Sequence, residues 1–339
     1  AKNIRLRNST ASIVMLSEES ELPYDRPMLT KAMFGAVSNG AIASEPAEWY
    51  KENNVDLRLN SKVEKLDAEK KEVILTDGSV FSYDKCIYAL GSSSFIPPFK
   101  GKDLPEVISI RGIKDVEKVN ALAKGAKNAV VIGGGVLGLE AAWELRKAKL
   151  NVTVLEGAPV LMAGKVDPET VRILTDVAKQ KGIEIKVGVK IDEISGAEHV
   201  DGVVADGEKL AADLVLVSTG VRANIAIAQA AGLATDRAVI VDKNMASSVA
   251  DIYAAGDCAQ YDGANITIWP VASEMGRIAG ANAAGEALVY EPDVNGMSFH
   301  GMGTSLFSIG DIGTKPDVSY KTVEIKDDKR KEVVRKLFP

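Results

Sequence analysis

The chain has 339 residues, of which 46% are hydrophobic, 5% aromatic and 26% charged, with a net charge of −6. This length accommodates two or three domains, and 30 glycines with few aromatics are typical of α/β folds with many tight turns. A sequence pI near 5.3 argues against nucleic acid as a partner. No run of about 18 apolar residues occurs, so we expect no membrane-spanning segment.

The residues of redox and metal chemistry are few. There are two cysteines, Cys86 and Cys258, and two histidines, His199 and His300. Because the cysteines are far apart, they form no CxxC or CxxxxC motif, which excludes a dithiol redox centre within this chain. Reduced thiols, and an N-terminus without the apolar core of a signal peptide, predict a cytoplasmic location, and no metal site is predicted.

The first predicted elements are a strand, a loop and a second strand. The strand Ser12–Glu18 is β-rich and ends in acid. It runs into Glu18–Lys31 (EESELPYDRPMLTK), a charged segment with two prolines. A hairpin-like region with an Asp77-Gly78 turn then leads to Asp84–Gly91 (DKCIYALG), a strand that ends in small residues and glycine.

The clearest pattern in the chain is a strand, a glycine turn, a helix and a strand that ends in acid. The first strand is Ala129–Ile132, followed by Gly-x-Gly-x-x-Gly at residues 133–138 and by a run with apolar residues at helical spacing. The second strand, Val152–Leu155, ends at Glu156. This is the order that a βαβ dinucleotide-binding site requires.

Each residue type in this pattern has a physical role in dinucleotide binding. Gly133 permits the tight turn, Gly135 lets the backbone approach a pyrophosphate, and Gly138 lets the helix pack close to the sheet. The helix N-terminus offers free N–H groups and about half a positive charge to the phosphates. Glu156, 18 residues after Gly138, can accept hydrogen bonds from ribose hydroxyls and repels a 2′-phosphate. No arginine follows before Lys165, so NADH is favoured over NADPH.

The same order of elements occurs twice. The strand Asp213–Gly220 (DLVLVSTG) repeats Asp84–Gly91, and each follows a hairpin-like region with Asp-Gly turns. The strand that ends at Glu18 is similar to the one that ends at Glu156. In the second copy the first glycine precedes the acid by 23 residues, so its counterpart in the first copy falls before residue 1. We therefore expect the first glycine loop to be missing, with residues 1–8 as the tail of its helix.

The last third of the chain contains another acid at a strand end. The strand Ile252–Ala254 leads to Asp257, and an Ala- and Gly-rich helix is predicted over Ser273–Glu286. An acid in this position is well placed to bond a sugar or polyol chain, and a simple turn residue is the alternative. Met297–Ile312 and Val318–Ile325 are β-like and predict the start of a small third domain, which we expect to be incomplete.

These residues together resemble the pyridine nucleotide–disulfide oxidoreductase superfamily over nearly the whole chain. They are most similar to its NADH–rubredoxin reductases, ferredoxin reductases and nitrite-reductase-like flavoproteins, and Glu18–Lys31 is the most specific motif. The resemblance implies an NADH-dependent FAD oxidoreductase of the α/β class. It implies two Rossmann-like (three-layer ββα) dinucleotide-binding domains and the start of a small C-terminal α+β domain.

The resemblance also implies domain boundaries. Residues 1–112 and 244–295 form a discontinuous FAD-binding domain without its N-terminal glycine loop. Residues 113–243 form the NAD-binding domain. Residues 296–339 form part of a C-terminal domain.

The resemblance further implies the site residues. For FAD, it implies that Glu18 binds the ribose and that Arg26 and Lys31 lie near the pyrophosphate and flavin. It also implies that Ala89 and Gly91 belong to the turn that closes on FAD, and that Asp257 binds the ribitol chain. It adds to the NAD site Gly220 in a closing turn and Glu140 near the nicotinamide. Lys31 and Glu140 are the candidate catalytic residues, which hold the flavin edge and orient the nicotinamide. The alternatives are a charged surface loop for Glu18–Lys31 and a solvated helix residue for Glu140.

Two departures from the family pattern matter. The stretch Ser17–Tyr24 contains no cysteine where thiol-dependent members have one, which disfavours thiol chemistry. The run Ala89–Ser94 replaces a more usual threonine and arginine, which alters one contact to FAD.

We therefore expect electrons to pass from NADH through FAD to a small iron redox protein, with rubredoxin first and a ferredoxin-like protein next. The alternatives are an NADH oxidase or peroxidase, and an NADH-binding module without turnover. A positive bias over Lys326–Lys336 would steer an acidic partner, or is simply a solvated hairpin. A homodimer is compatible with the sequence.

Overall fold

The computed structural model describes residues 1–37, 40–293, 296–315, 317–327 and 332–338. A short 3₁₀ turn covers Gly256–Cys258. The helices are, in chain order, α1 (Lys2–Arg5), α2 (Met28–Lys31), α3 (Ala47–Glu52), α4 (Ile113–Ala123), α5 (Val136–Lys147), α6 (Pro168–Gln180), α7 (Ala226–Ala230) and α8 (Trp269–Ala283).

The strands are, in chain order, β1 (Ile13–Leu16), β2 (Val55–Arg58), β3 (Val63–Asp67), β4 (Glu72–Leu75), β5 (Val80–Ser82), β6 (Cys86–Tyr88), β7 (Ser92–Ser94), β8 (Val107–Ile108), β9 (Asn128–Ile132), β10 (Asn151–Glu156), β11 (Ile183–Val187), β12 (Ile191–Gly196), β13 (Val200–Ala205), β14 (Glu208–Ala211), β15 (Leu214–Val217), β16 (Val221–Ala223), β17 (Val239–Val241), β18 (Ile252–Ala254), β19 (Ala259–Tyr261), β20 (Gly296–Gly301), β21 (Thr304–Ile309), β22 (Lys321–Asp327) and β23 (Glu332–Phe338).

The chain divides into two compact units. Unit 1 comprises Ala1–Phe95, Arg111–Val116 and Gly220–Pro292, and unit 2 comprises Ile96–Ile110, Glu117–Thr219 and Asp293–Pro339. Residues 220–243, which the sequence analysis assigns to the NAD-binding domain, lie in unit 1. The domain boundaries drawn from the sequence stay predictions.

Unit 2 is built on a five-stranded sheet with the order β11-β10-β9-β15-β8. The pairs between these strands are parallel. All four residues of β15 and the last four of β9 are buried, as is typical of central strands covered on both faces. Helices α5 and α6 contact β10 and β11, and the antiparallel β12-β13-β14 meander contributes Ile194 and Val203 to a core shared with Val130 and Ile132. These are the three layers predicted from the sequence.

Unit 1 repeats part of this order. Strand β1 pairs in parallel with β2, as β10 does with β11, and a three-stranded antiparallel meander (β3-β4-β5) then leads to β6, as β12-β13-β14 leads to β15. Strand β6 pairs in parallel with β18. The main core of unit 1 joins β17, β18 and α8, with Ile252, Met275 and Ile278 buried. The predicted α/β class and the internal duplication are confirmed.

Several predicted element bounds were wrong, among them the end of the first strand and both ends of the helix predicted over Ser273–Glu286. The first strand ends at Leu16 instead of Glu18, because the chain bends from Glu18 onward, where the Glu19 N–H donates back to the Ser17 hydroxyl (3.2 Å). The helix predicted from Ser273 begins at Trp269, because a proline in the first turn lacks only an N–H that has no helical partner there.

The C-terminal residues of unit 2 form two antiparallel hairpins, β20-β21 and β22-β23. The side chain of Arg335 on β23 forms ion pairs with Asp167 (Nε–Oδ1 3.2 Å) and with Glu324. Arg335 is therefore engaged within unit 2 instead of being a free cation for a partner. Lys329, Arg330 and Lys331, which belong to the same predicted basic bias, lie outside the described residues.

An ion cluster ties the meander of unit 1 to the start of β18. Asp251 accepts from Lys71 (Nζ–Oδ2 2.5 Å) and from Lys85. Hydrogen bonds from these two ammonium groups lower the pKa of Asp251 to about 2. Because the folded pKa is below the ordinary value of 3.8, the pairs stabilise the fold above that value and lose their effect as pH falls to about 2.

Asp251→Asn should lower the midpoint of thermal unfolding near neutral pH, because it removes both ion pairs. Asparagine keeps the left-handed backbone of this residue (φ +68°), so the comparison isolates the charge. We expect the difference from the wild type to shrink between pH 4 and pH 2, and to shrink in high salt, since the pairs are partly exposed. A difference that stays constant across this pH range would contradict the assignment.

Candidate functional site

The glycine pattern lies at the bend between β9 and α5 in unit 2. The Gly133 N–H donates to the Leu155 carbonyl of β10 (2.8 Å), and Gly135 is the N-terminal cap of α5. The loop therefore joins a central parallel strand to the helix that follows it, which is where the sequence places it.

The three glycines of the pattern differ in what surrounds them. A Cβ on Gly133 (φ +116°) would lie 2.1 Å from the Ser218 carbonyl oxygen, and a Cβ on Gly138 would lie 2.0 Å from the Gly133 carbonyl oxygen. These two positions exclude any side chain. A Cβ on Gly135 would meet nothing within 4 Å. The backbone at Gly135 therefore faces open space into which a phosphate group can come close.

Glu156 ends β10 beside the same loop. Its Oε2 accepts from the Gly134 N–H (2.6 Å) and its Oε1 from the Ala158 N–H (2.7 Å). Both carboxylate oxygens are thus fixed by backbone donors, and each keeps a lone pair for a further donor. The carboxylate lies at the loop edge, and in the described part of the chain its hydrogen bonds come from backbone N–H groups.

These residues fit the adenosine and pyrophosphate parts of NADH. Helix α5 has 12 residues, and no side chain caps its first N–H groups. Those groups, the open face at Gly135 and the carboxylate of Glu156 provide donors for phosphate and acceptors for ribose hydroxyls. The assignment of Gly133, Gly135, Gly138 and Glu156 to NAD stays a prediction.

Glu140 and Gly220 have different surroundings. Glu140 lies in the second turn of α5 and is 2% exposed, so the alternative of a solvated helix residue is wrong. A carboxylate is costly to bury, which is why a buried one is a candidate functional group. Gly220 (φ +97°) lies in unit 1, where its carbonyl accepts from the Phe95 N–H (2.9 Å).

Asp257 lies just beyond the carboxyl end of β18, next to the parallel strand β6. Its Oδ2 accepts from the Ser92 hydroxyl (2.6 Å) and from Arg111 Nη2 (2.9 Å). The Nε of Arg111 also donates to the Ser92 carbonyl (2.7 Å), and Asn265 Nδ2 donates to the Asp257 carbonyl (3.0 Å). None of these bonds uses the Oδ1 atom of Asp257. That oxygen is therefore able to accept hydrogen bonds from the hydroxyls of a polyol.

Arg26 belongs to a second polar cluster in unit 1. Its guanidinium forms an ion pair with Glu19, and its Nη1 donates to the Tyr24 hydroxyl (2.9 Å) and to the Arg111 carbonyl (2.6 Å). The Tyr24 hydroxyl donates in turn to Glu19 (2.6 Å). Burial raises the pKa of Tyr24, so the phenol remains a donor at neutral pH. Arg26 thus supports the segment that contains Arg111, which in turn holds Asp257.

The other predicted FAD residues have different surroundings. Glu18 is exposed and pairs with Lys62 (3.6 Å). Lys31 ends α2 and is partly buried, and Ala89 is exposed after β6. Gly91 (φ +62°) lies close to Arg111, whose Nη2 would be 3.5 Å from an added Cβ.

Sequence reasoning missed Glu19, Ser92 and Arg111. Arg111 follows the short buried strand β8 and lies outside the Ala89–Ser94 run, in which a usual arginine is absent. A charged residue three positions after a buried strand was the one signal available for it. Ser92 lies after β6, and only the pairing of β6 with β18 reveals its contact with Asp257.

The two thiols are not built for nucleophilic chemistry. Cys258 is buried and Cys86 partly buried, and burial raises the pKa of each to about 11. At pH 7 only about one thiol in ten thousand is then ionised, and the thiolate is the reactive form. This agrees with the prediction that thiol chemistry is disfavoured.

Within the described residues, no group of three or more His, Cys, Asp or Glu side chains is arranged to hold a metal ion. No helix in that part of the chain is long and apolar enough to cross a membrane.

Comparison with known proteins identifies the family. The family described as pyridine nucleotide-disulphide oxidoreductase matches residues 1–276. The chain belongs to this family. Membership confirms the predicted superfamily.

Several characterised relatives are similar in sequence. The chain is 32% identical over 318 residues to a nitrite reductase [NAD(P)H] of Bacillus subtilis, with 93% of this chain and 39% of the relative covered. It is 31% identical to an NADH oxidase of Methanocaldococcus jannaschii (87% and 69% covered) and 35% identical to a rubredoxin-NAD(+) reductase of Pseudomonas putida (73% and 65% covered). The matched part is less than two thirds of the first and third of these relatives.

A solved structure is similar over almost all of the chain. A ferredoxin reductase from Rhodopseudomonas palustris superposes with a TM-score of 0.91 at 27% identity, over 99% of this chain and 84% of that one. This confirms the fold with Rossmann-like domains.

Gly135→Ala and Gly138→Ala should separate binding from stability. Gly138→Ala forces a Cβ against a backbone oxygen and should destabilise unit 2 by about 1–3 kcal/mol or more. Gly135 has φ −81° and free space, so Gly135→Ala should leave the unfolding midpoint nearly unchanged and still weaken NADH binding, by about tenfold. Denaturant unfolding and NADH titration measure the two effects. Equal NADH affinity in wild type and Gly135→Ala would contradict the placement of a phosphate there.

Both thiols should react slowly with iodoacetamide in the folded chain at pH 7. Their raised pKa values and their burial both limit the thiolate available. Mass spectrometry should show complete modification only after unfolding in guanidinium. Rapid labelling of Cys258 in the native protein would contradict the assigned environment.

Proposed function

We propose that this chain is the FAD- and NADH-binding body of an oxidoreductase that passes electrons from NADH, through FAD, to a small iron redox protein such as rubredoxin. The observation that supports this most is the loop at Gly133–Gly138, where backbone donors, an open approach and the fixed carboxylate of Glu156 occur together. A cytoplasmic location, and a homodimer with which the sequence is compatible, belong to the same proposal.

The chemistry in this proposal belongs to the cofactors, since NADH supplies a hydride and the flavin accepts it and releases single electrons. The protein binds and orients. Glu156 accepts from the adenosine ribose, and the N-terminus of α5 binds the pyrophosphate. Asp257, held by Ser92 and Arg111, accepts from the hydroxyls of the flavin polyol chain.

Lys31 and Glu140 are the proposed residues nearest to the chemistry. Lys31 holds the flavin edge through its ammonium group, and Glu140 orients the nicotinamide end of NADH. Neither needs to transfer a proton in hydride transfer, so both act by position and charge. Lys31→Met and Glu140→Gln would then slow flavin reduction without abolishing NADH binding.

An iron protein is the favoured acceptor for two reasons. The P. putida relative is a rubredoxin-NAD(+) reductase, and the superposed R. palustris protein is a ferredoxin reductase. The buried thiols, each with a pKa near 11, disfavour a thiol-mediated route to a disulfide or peroxide. The second candidate is an NADH oxidase, which the M. jannaschii relative supports and which needs no thiol for reduction of oxygen.

The absorption spectrum and anaerobic stopped-flow kinetics of the purified chain test this proposal. We expect a bound flavin spectrum that bleaches on mixing with NADH, and Asp257→Asn should lose flavin during gel filtration. A flavin-loaded sample whose absorption band does not bleach with NADH would overturn the proposal. A colourless sample that binds NADH would favour the binding module without turnover.

Turnover with different acceptors separates the two candidates. We expect NADH consumption to be faster with rubredoxin or a ferredoxin than with oxygen. Equal or faster consumption with oxygen alone would favour the oxidase. Glu156→Ala serves as the matched control, since it should impair NADH use with every acceptor alike.

A further inference from the structure

We propose that Leu161 and Met162 form a latch over the glycine loop, which fixes the Glu156 carboxylate and thereby sets the preference for NADH over NADPH. The latch is defined as Leu161 and Met162. The inference rests on the proposed NADH site, and it assigns a positioning role to two residues that do not belong to the glycine pattern.

The first observation concerns Gly134, the residue between the first two glycines of the pattern. The pattern itself leaves this position open to any residue. Here an added Cβ would lie 2.6 Å from Leu161 Cδ2 and 3.1 Å from both Cβ and Oε2 of Glu156. Gly134 is therefore enclosed between the latch and the carboxylate, so a movement of either would be transmitted to the other.

The second observation is the conformation of the latch. Leu161 is fully buried and Met162 is 2% exposed, although both lie in an irregular segment between β10 and α6. Met162 adopts a left-handed backbone (φ +49°), which is unusual for a residue other than glycine, asparagine or aspartate. The Met162 N–H donates to the Gly134 carbonyl (3.0 Å), so the latch contacts the loop through a backbone hydrogen bond as well as through side-chain packing.

The third observation is that Gly134 is bonded on both sides. Its carbonyl accepts from the Met162 N–H and its N–H donates to Glu156 Oε2 (2.6 Å). The other oxygen of Glu156 accepts from the Ala158 N–H (2.7 Å), in the segment that leads into the latch. The carboxylate is thus held at two points by groups whose positions depend on the latch.

Discrimination against NADPH follows from this rigidity. A carboxylate at the ribose repels a 2′-phosphate only if it cannot rotate away or make room for it. A mobile carboxylate would relax the repulsion and would also order less readily for the ribose hydroxyls. Loosening the latch should therefore change the ratio of the two affinities, which a purely structural contribution to the fold would not do.

The test measures the Kd of NADH and of NADPH for the purified chain by fluorescence titration, so no flavin turnover is needed. For Leu161→Ala we expect the ratio of the NADPH Kd to the NADH Kd to fall by about tenfold, in line with one weakened charge-assisted hydrogen bond. Leu161→Met, which fills the same space, should restore the wild-type ratio.

Leu174→Ala is the matched control, because Leu174 is a buried leucine of unit 2 that lies on α6 instead of in the segment that contacts Gly134. It should lower stability while the ratio of the two Kd values stays at the wild-type value. Gly134→Ala should lower the ratio on its own, and should have a smaller effect in the Leu161→Ala background, because the nearest clashing atom has then been removed.

The outcomes separate the latch from the NADH site. If Leu161→Ala weakens NADH and NADPH by the same factor, or has the same ratio as Leu174→Ala, the latch is wrong while the NADH site stands. If the wild-type chain binds neither nucleotide, the proposed NADH site itself is overturned.

Discussion

The close approach of backbone to backbone where β9 turns into α5 is the constraint on which unit 2 depends. The Gly133 carbonyl lies where a side chain at residue 138 would begin, and the Ser218 carbonyl lies where one at residue 133 would begin. Because these atoms are in contact, α5 starts directly above the parallel sheet. Its first N–H groups therefore emerge at the carboxyl edge of the strands, next to Glu156. The position of these N–H donors thus follows from the close packing of backbone at Gly133 and Gly138.

Unit 1 also holds a carboxylate at the end of a parallel strand, but with side-chain donors. Its acid, Asp257, is held by side chains from two other segments, Ser92 and Arg111, instead of by backbone amides as Glu156 is. The Ala89–Ser94 run lacks the more usual arginine of the family, and Arg111 supplies a guanidinium to the same acid from elsewhere in the chain.

The sequence predicted what depends on local periodicity and turn chemistry. The β9–α5–β10 pattern was correct to within one residue at each strand end, since glycine spacing and apolar periodicity are local. The bend that begins at Glu18 was missed because it depends on the hydroxyl of Ser17, and it leaves Glu18 beyond the strand. The partners of Asp257 were missed because residues 92, 111 and 257 meet only in three dimensions. The enclosure of Gly134 was equally invisible, since the pattern treats that residue as unrestricted.

The discontinuous composition of unit 1 has a consequence for synthesis of the chain. Strand β6 pairs with β18, so Cys86 can pair with Ile252 only after a further 166 residues have been translated. All five strands of the parallel sheet of unit 2 fall between these two elements. On the ribosome, the sheet of unit 2 is therefore fully translated before β6 and β18 of unit 1 can pair. The β3-β4-β5 meander of unit 1 is exposed in the meantime. The loop at Gly133–Gly138 can therefore form before Asp257 meets its partners Ser92 and Arg111.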